Sequence, residues 1–328
     1  MTIKNCALFI FQLSACWVII SGCTIGKSNN LVCKSIAELY QVETYKELKK
    51  IEINTQNDEM WPVIKNDAFR GMKNLEALTI RGNVSHFEPH TLRGIEHPFK
   101  FYVIDNFFEE LPEEIFNGVP VTEIGVGITH LKELKQNLFK NVSVLKEVNI
   151  QVAKLTTVKV GVFSDTNIAS IDLTNNEIAT IEHGAFAGMK KLYELYLSMN
   201  KLTTFDAEKV LGASSPVELL YLDENLLTTI TTFPALPKMR ILSFDKNAIA
   251  TIESKCFANL KKLEIVKLSF NKLKSIPPAT LPGRLQKLGV GENPWTCSYL
   301  MELEAWANKS NVELFCIKTF EPCTISCV

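Results

Sequence analysis

The stretch from Ile168 to Phe186, IASIDLTNNEIATIEHGAF, constrains the fold more than any other part of this 328-residue chain. Its apolar residues fall at Ile168, Ile171, Leu173, Ile178 and Ile181, with Asn176 between the third and fourth and Phe186 closing the unit. Ile171 and Leu173 lie two apart, so on an extended strand both point to the same face. Asn176 follows where the chain leaves that strand. Its amide both donates and accepts, which suits the backbone groups of a buried turn. One such unit cannot close a core alone, so recurrence is the test. The Asn position recurs as Gln56, Asn83, Asn106, Thr129, Ala153, Asn176, Asn200, Asn225, Asn247, Asn271 and Asn293. The separations run from about 22 to 27 residues, the period of a short stacked repeat. Apolar triplets recur in step, among them Leu75, Leu78, Ile80; Leu145, Val148, Ile150; Leu192, Leu195, Leu197; and Leu263, Val266, Leu268. Phe116, Phe139, Phe163, Phe186 and Phe257 share one late position, which predicts a phenylalanine column along the outer side. Gln56, Thr129 and Ala153 interrupt the Asn series. A Thr hydroxyl can still hydrogen-bond, whereas Ala153 leaves its turn to satisfy the backbone in another way or to bend.

The recurring spacing resembles the leucine-rich repeat, L-x-x-L-x-L-x-x-N-x-L. That resemblance implies an α/β leucine-rich repeat solenoid: a curved horseshoe of about 10–11 repeats with a parallel β-sheet on its concave face. A solenoid grows by stacking, so the length of the chain does not require a second domain.

In chain order, residues 1–23 carry Lys4 and then a short apolar run from Cys6 to Ile20, ending in Ser21 and Gly22. This resembles a secretory signal peptide and predicts a secreted, extracellular product. Ile20-Ser21-Gly22-Cys23 also resembles a bacterial lipoprotein cleavage box. No later run is apolar and long enough to insert in a membrane. Residues 24–47, with Ile36, Leu39 and Val42, read as an N-terminal cap, and residues 48–292 as the repeats. Residues 293–328 read as a C-terminal cap, in which Leu300, Leu303, Trp306 and Ala307 have helical spacing. The four cap cysteines, Cys297, Cys316, Cys323 and Cys327, suit disulfides, with three pairings open among them. Cys33 and Cys256 lie some eight repeats apart, beyond disulfide reach. Cys256 reads as a small buried apolar residue. Cys33 reads as an odd thiol, either free or linked to a second chain.

Lys+Arg 35 against Asp+Glu 36 leaves a net charge of −1, which gives no footing for nucleic-acid binding or an electrostatic membrane surface. Nothing in the sequence forms a catalytic constellation, a phosphate-binding loop or a cofactor motif, so an enzyme is not expected. His86, His90 and His97 cluster in return segments and read as solvated loop residues rather than metal ligands. The expected working surface is the concave sheet. Residues that alternate with the core there include Glu123, Glu147, Asp172 and Glu194, an acidic middle, followed by Tyr196 and Tyr221 beside Leu219, Ile241 and Ile265. Adjacent tyrosines beside aliphatic residues are typical of protein-binding hot spots. Asn141 and Asn308 stand in the sequons most open to N-glycosylation. Asn83 also heads a sequon but sits on the Asn series.

Asn293-Pro294-Trp295-Thr296-Cys297 resembles the opening of the cysteine-stapled cap in animal extracellular leucine-rich repeat proteins. One departure is that Ser298 and Tyr299 stand where a second cysteine is usual. Signal, repeats and cap together look most like the mosquito leucine-rich repeat immune family, in its members without a coiled coil. That resemblance implies a non-enzymatic binding module of innate immunity. Its expected partners are a complement-like thioester protein, another leucine-rich repeat chain or a microbial surface. The chain shows no heptad region before Val328, so no partner-contact residues carry over from the family's coiled-coil members. Two alternatives stand beside this reading: a developmental or adhesion ligand of the Slit or Toll-ectodomain kind, and an inhibitor of an extracellular hydrolase.

Overall fold

The computed structural model describes residues 23–25, 31–40, 42, 45–55, 63–82, 84–277 and 280–315. One 14-stranded sheet runs through them, its strands adjoining one another in chain order. The first pair, Thr24–Ile25 with Leu31–Cys33, is antiparallel. Every later pairing in that sheet is parallel, from Leu31–Cys33 beside Lys50–Asn54 to Lys287–Gly289 beside Glu313–Phe315, and the register is unbroken except for a one-residue shift at Phe99/Lys100 against Val121–Gly127. The solenoid has about 12 turns. The excess over the sequence expectation arises at the ends, where each cap contributes a strand to the sheet.

Each repeat follows from its alternation. The central residues Ile171, Leu195, Leu220, Leu242 and Val266 are fully buried, while their strand neighbours face outward and are only partly covered, apart from Ser243, which is buried. Each strand is short because the Asn turns the chain away. Asn176 donates to the Leu173 carbonyl of its own turn (3.0 Å) and to the Ile150 carbonyl of the preceding one (2.8 Å). Its Oδ1 accepts the Leu155 N–H of the preceding repeat at 3.2 Å. Asn200, Asn225, Asn247, Asn271 and Asn293 repeat this arrangement. On the return side, short parallel pairs join neighbouring turns, as in Thr157–Val158 with Thr180–Ile181.

The phenylalanine column is present but discontinuous. Phe116, Phe139, Phe163 and Phe186 stack with centroids 5.9, 5.5 and 5.6 Å apart. The next turn carries the helix Ala207–Leu211 instead, and Val210 continues the column by accepting the Phe186 N–H. Phe257 therefore meets Phe233, which shares the column, rather than Phe186.

The N-terminal cap corrects the expectation for Cys33. The antiparallel pair folds the chain back on itself, and Cys33 is disulfide-bonded to Cys23. Cys33 is thus not an odd thiol able to link a second chain, and Cys23, assigned to the leader from sequence, belongs to the folded cap. Cys256 is a buried free thiol, pushed up to about 12 by burial and then by Glu253. In the C-terminal cap, Trp295 is buried and donates from Nε1 to the Val290 carbonyl at 2.8 Å. The helix Cys297–Ser310 follows, capped by Thr296, with Leu300, Leu303 and Ala307 buried against the last repeat. Cys297 is disulfide-bonded. Cys316, Cys323 and Cys327 lie outside the described residues, as do residues 1–22, Gln56 and Asn83.

Candidate functional site

Parallel in-register pairing places equivalent residues of successive repeats side by side, so the sheet's outer face is built of rows. One row runs Glu147, Ser170, Glu194, Leu219, Ile241, Ile265. A second runs Asn149, Asp172, Tyr196, Tyr221, Ser243, Lys267. The structure therefore brings all eight face residues singled out from sequence onto one continuous patch: Glu147, Asp172, Glu194, Tyr196, Leu219, Tyr221, Ile241 and Ile265. All eight are half-buried.

Tyr196 and Tyr221 stack at 4.9 Å between centroids, with ring planes 6° apart. Strands spaced about 4.8 Å apart dictate that separation for identical residues in register. Lys267 Nζ lies 5.6 Å from the Tyr221 centroid on the following side. Burial, then the charge on Glu194, pushes the Tyr196 hydroxyl up to about 12. Burial likewise raises Tyr221, followed by Asp223 and Glu194. Both phenols are neutral, and each couples an apolar body to a polar tip.

The acidic middle divides in two. Glu123, counted with it from sequence, is neutralised. Burial pushes its carboxyl up, but hydrogen bonds from Lys100 (2.5 Å) and Tyr102 (2.6 Å) outweigh this and hold it down. Arg81 similarly pairs with Asp105 at 2.8 Å and Glu52 at 3.6 Å. Glu147, Asp172 and Glu194 instead accept from neutral donors: Asn149, Gln151 with the Thr174 N–H, and Ser170.

Sequence reasoning did not weigh the third row, Thr174, Ser198, Asp223, Asp245 and Ser269. Asp223 accepts from Ser198, Ser243 and the Asp245 N–H, while Asp245 accepts the Ser269 N–H at 2.7 Å. Asp245 is almost fully buried. Burial, then the neighbouring Asp223, pushes its carboxyl up to about 7. The signal was available as Asp two residues before Asn in consecutive repeats, LDEN and FDKN.

A second apolar feature lies at the turn edge, where Phe107, Ile128 and Val152 are exposed around a shallow hollow of about 440 Å³ that His130 and Lys154 also line. Asn141 and Asn308 are both exposed. Asn141 donates to Asn117 Oδ1 at 3.1 Å, and Asn308 lies near the end of the cap helix. Among the described residues no group of His, Cys, Asp or Glu is arranged to hold a metal ion, and no helix is long and apolar enough to cross a membrane.

The family model described as BspA type leucine rich repeat region matches this chain in six copies, over residues 34–126 and 109–228. Lumican of Gallus gallus is 31% identical over 179 residues, covering 52% of this chain and 50% of lumican. Podocan of Mus musculus is 24% identical over 243 residues, covering 64% of this chain and 38% of podocan. The chain thus spans half or less of the length of these relatives. Two solved structures share the fold. One comes from the Toll–Spatzle complex of Drosophila, at TM-score 0.63 and 19% identity, covering 79% of this chain and 38% of the other. The other belongs to a complex of Latrophilin 3, Unc5D and FLRT2, at TM-score 0.56 and 18% identity, covering 77% and 86%.

Proposed function

Since this chain belongs to the leucine-rich repeat family, whose model spans more than half of it, we propose that it is an extracellular, non-enzymatic protein-binding module working through its concave sheet. One observation carries this reading: the stacked Tyr196–Tyr221 pair at the centre of the outer face, bordered by Leu219, Ile241 and Ile265. Rigid, preoriented aromatic side chains beside aliphatic ones bury area at little entropic cost, and hot spots are enriched in such groups. The Toll–Spatzle and Latrophilin 3–Unc5D–FLRT2 structures are themselves assemblies with protein partners, which supports the same use of this fold here.

In its finer form the reading is a secreted immune recognition protein. Its partner is an immune effector such as a complement-like thioester protein, another leucine-rich repeat chain, or a microbial surface. The cap disulfide Cys23–Cys33 supports an oxidising, extracellular setting. Exposed Asn141 and Asn308 are the proposed glycan acceptors. The developmental or adhesion reading draws on the same neighbours and differs in where the protein is expressed.

The test is capture of partners from insect body fluid by the purified chain and by its Tyr196→Ala/Tyr221→Ala variant. Recovery of a protein by the native face, lost in the variant at unchanged melting temperature, supports the reading. Equal recovery by both chains removes the concave face from the function.

A further inference from the structure

We infer that the partner presents an arginine side chain to the outer face of Tyr196, between Asp172 and Glu194, with apolar residues alongside. This rests on the protein-binding reading above and specifies the chemistry that the face selects.

The charge pattern along the sheet carries the argument. Toward the N-terminal end, anions of the face are met by cations of the chain itself: Glu123 by Lys100, and Glu52 and Asp105 by Arg81. In the middle the pairing stops. Asp172, Glu194 and Asp223 accept hydrogen bonds from a glutamine amide, serine hydroxyls and backbone N–H groups. Neutral donors orient a carboxylate without cancelling its charge, so these anions are held in place and remain available to an outside cation. A contiguous anionic stretch without ion pairs of its own among the described residues selects a cationic partner and steers its approach.

The aromatic pair narrows the choice of cation. One face of Tyr196 is taken by Tyr221, and Lys267 occupies the far side of Tyr221. The other face of Tyr196 turns toward Asp172, its register partner on the preceding strand. A flat cation suits that slot. A guanidinium can stack on a ring and bond a carboxylate edge at once, whereas an ammonium offers only a point charge. Leu219, Ile241 and Ile265 then form an apolar shelf on the adjoining side, for residues flanking the arginine.

The experiment uses the full purified chain and short synthetic peptides that share leucine-rich flanks and differ only at a central Arg, Lys, Gln or Glu. Expected is binding of the Arg peptide roughly tenfold or more tighter than the Gln peptide, weakening as salt rises to about 0.3 M, where screening is strong. The Asp172→Asn/Glu194→Gln variant should bind the Arg and Gln peptides alike. Its fold should persist, because the Gln151 amide can turn round to meet the amide that replaces the Asp172 carboxylate. Equal binding of all four peptides, binding of none, or an Arg preference that survives in the variant overturns the inference. Failure of the whole reading is distinguishable. If the Tyr196→Ala/Tyr221→Ala chain loses its captured partner while the Asp172→Asn/Glu194→Gln chain keeps it, the face binds protein but does not select arginine. If both variants keep the partner, the concave face is not the binding surface.

Discussion

At the scale of single residues, the Asn series shows how a repeat tolerates a defect. Each Asn accepts the N–H of a residue in the preceding turn, as Asn176 does for Leu155. At Ala153 that acceptor is missing, and the orphaned donor is Leu131. The Leu131 N–H turns instead to Thr129 Oγ1 of its own repeat, at 3.4 Å. The two interruptions are therefore one arrangement, a hydroxyl standing in for the amide that the next repeat lacks. Thr129→Ala leaves a buried N–H unpaired and should destabilise by about 1–3 kcal/mol, whereas Thr129→Ser should be close to neutral. Ala153→Asn restores the acceptor and should raise the melting temperature by about 2–4 °C per kcal/mol gained. Thermal melts of the three variants decide the point. Asp245 gives a pH-dependent counterpart. Burial first, and then Asp223, raises its carboxyl from 3.8 to about 7, against the opposing Ser269 N–H, Lys267 and Lys246. The folded state then holds a proton that the unfolded state releases near pH 4. Its contribution to stability falls as pH rises from about 4 to about 7 and is level above that. Asp245→Asn should be the more stable chain at pH 8, by an amount on the order of 1–4 kcal/mol, with the difference closing toward pH 4. Urea titrations across that range would show the slope or its absence.

At the scale of elements, the caps close the two ends of one continuous apolar core, and the phenylalanine column braces its return side. A terminal repeat has one unsatisfied face, and the chain covers it with a folded-back strand at one end and a helix at the other. The Cys23–Cys33 bond closes a short loop over the first of these. The Cys23→Ser/Cys33→Ser double variant should lose about 2–3 kcal/mol. Its loss of protection from hydrogen exchange should begin at Leu31–Cys33 and Lys50–Asn54. In the column, Phe139 stacks between Phe116 and Phe163 and is almost fully buried. Phe139→Ala should destabilise by about 3–5 kcal/mol, since neighbouring turns are braced by the same rings and cannot collapse into the void. Phe233 should be less sensitive, because its contacts with Phe244 and Phe257 are edge-on or tilted rather than a continuous stack.

At the scale of the whole molecule, each turn touches its two neighbours and little else, so stability is a sum of local terms. Ile171→Ala, at a fully buried position in the middle of the sheet, should therefore act locally. Exchange protection should fall first in Ser170–Asp172 and in the flanking strands Glu147–Gln151 and Glu194–Tyr196. Lys50–Asn54, several turns away, should keep its protection under native conditions. Uniform loss along the chain would show that the solenoid unfolds as one unit. The same linear order makes the concave face long and modular: a paired, neutral stretch near Arg81 and Lys100, an anionic middle, and an aromatic and aliphatic stretch toward Ile265.

Much of this was legible without the structure. A repeat spacing with an Asn at one position determines strand, turn and inward face together, because period-two alternation and the hydrogen-bonding capacity of Asn leave few other arrangements. Leu219, Tyr221, Ile241 and the other face residues could be placed on one surface for the same reason, since equal registers put equivalent positions side by side. Tertiary structure decided what spacing cannot express. Whether Cys33 found a partner depended on the antiparallel pairing of Thr24–Ile25 with Leu31–Cys33, and Cys23 had looked like part of a leader. Whether Glu123 stayed an open anion depended on Lys100 and Tyr102 reaching it from the neighbouring strand. Asp245 shows no departure from an ordinary aspartate until its burial beside Asp223 is known. These are relations across turns, in which charge and hydrogen bonding depend on distances between side chains that the repeat aligns but does not specify.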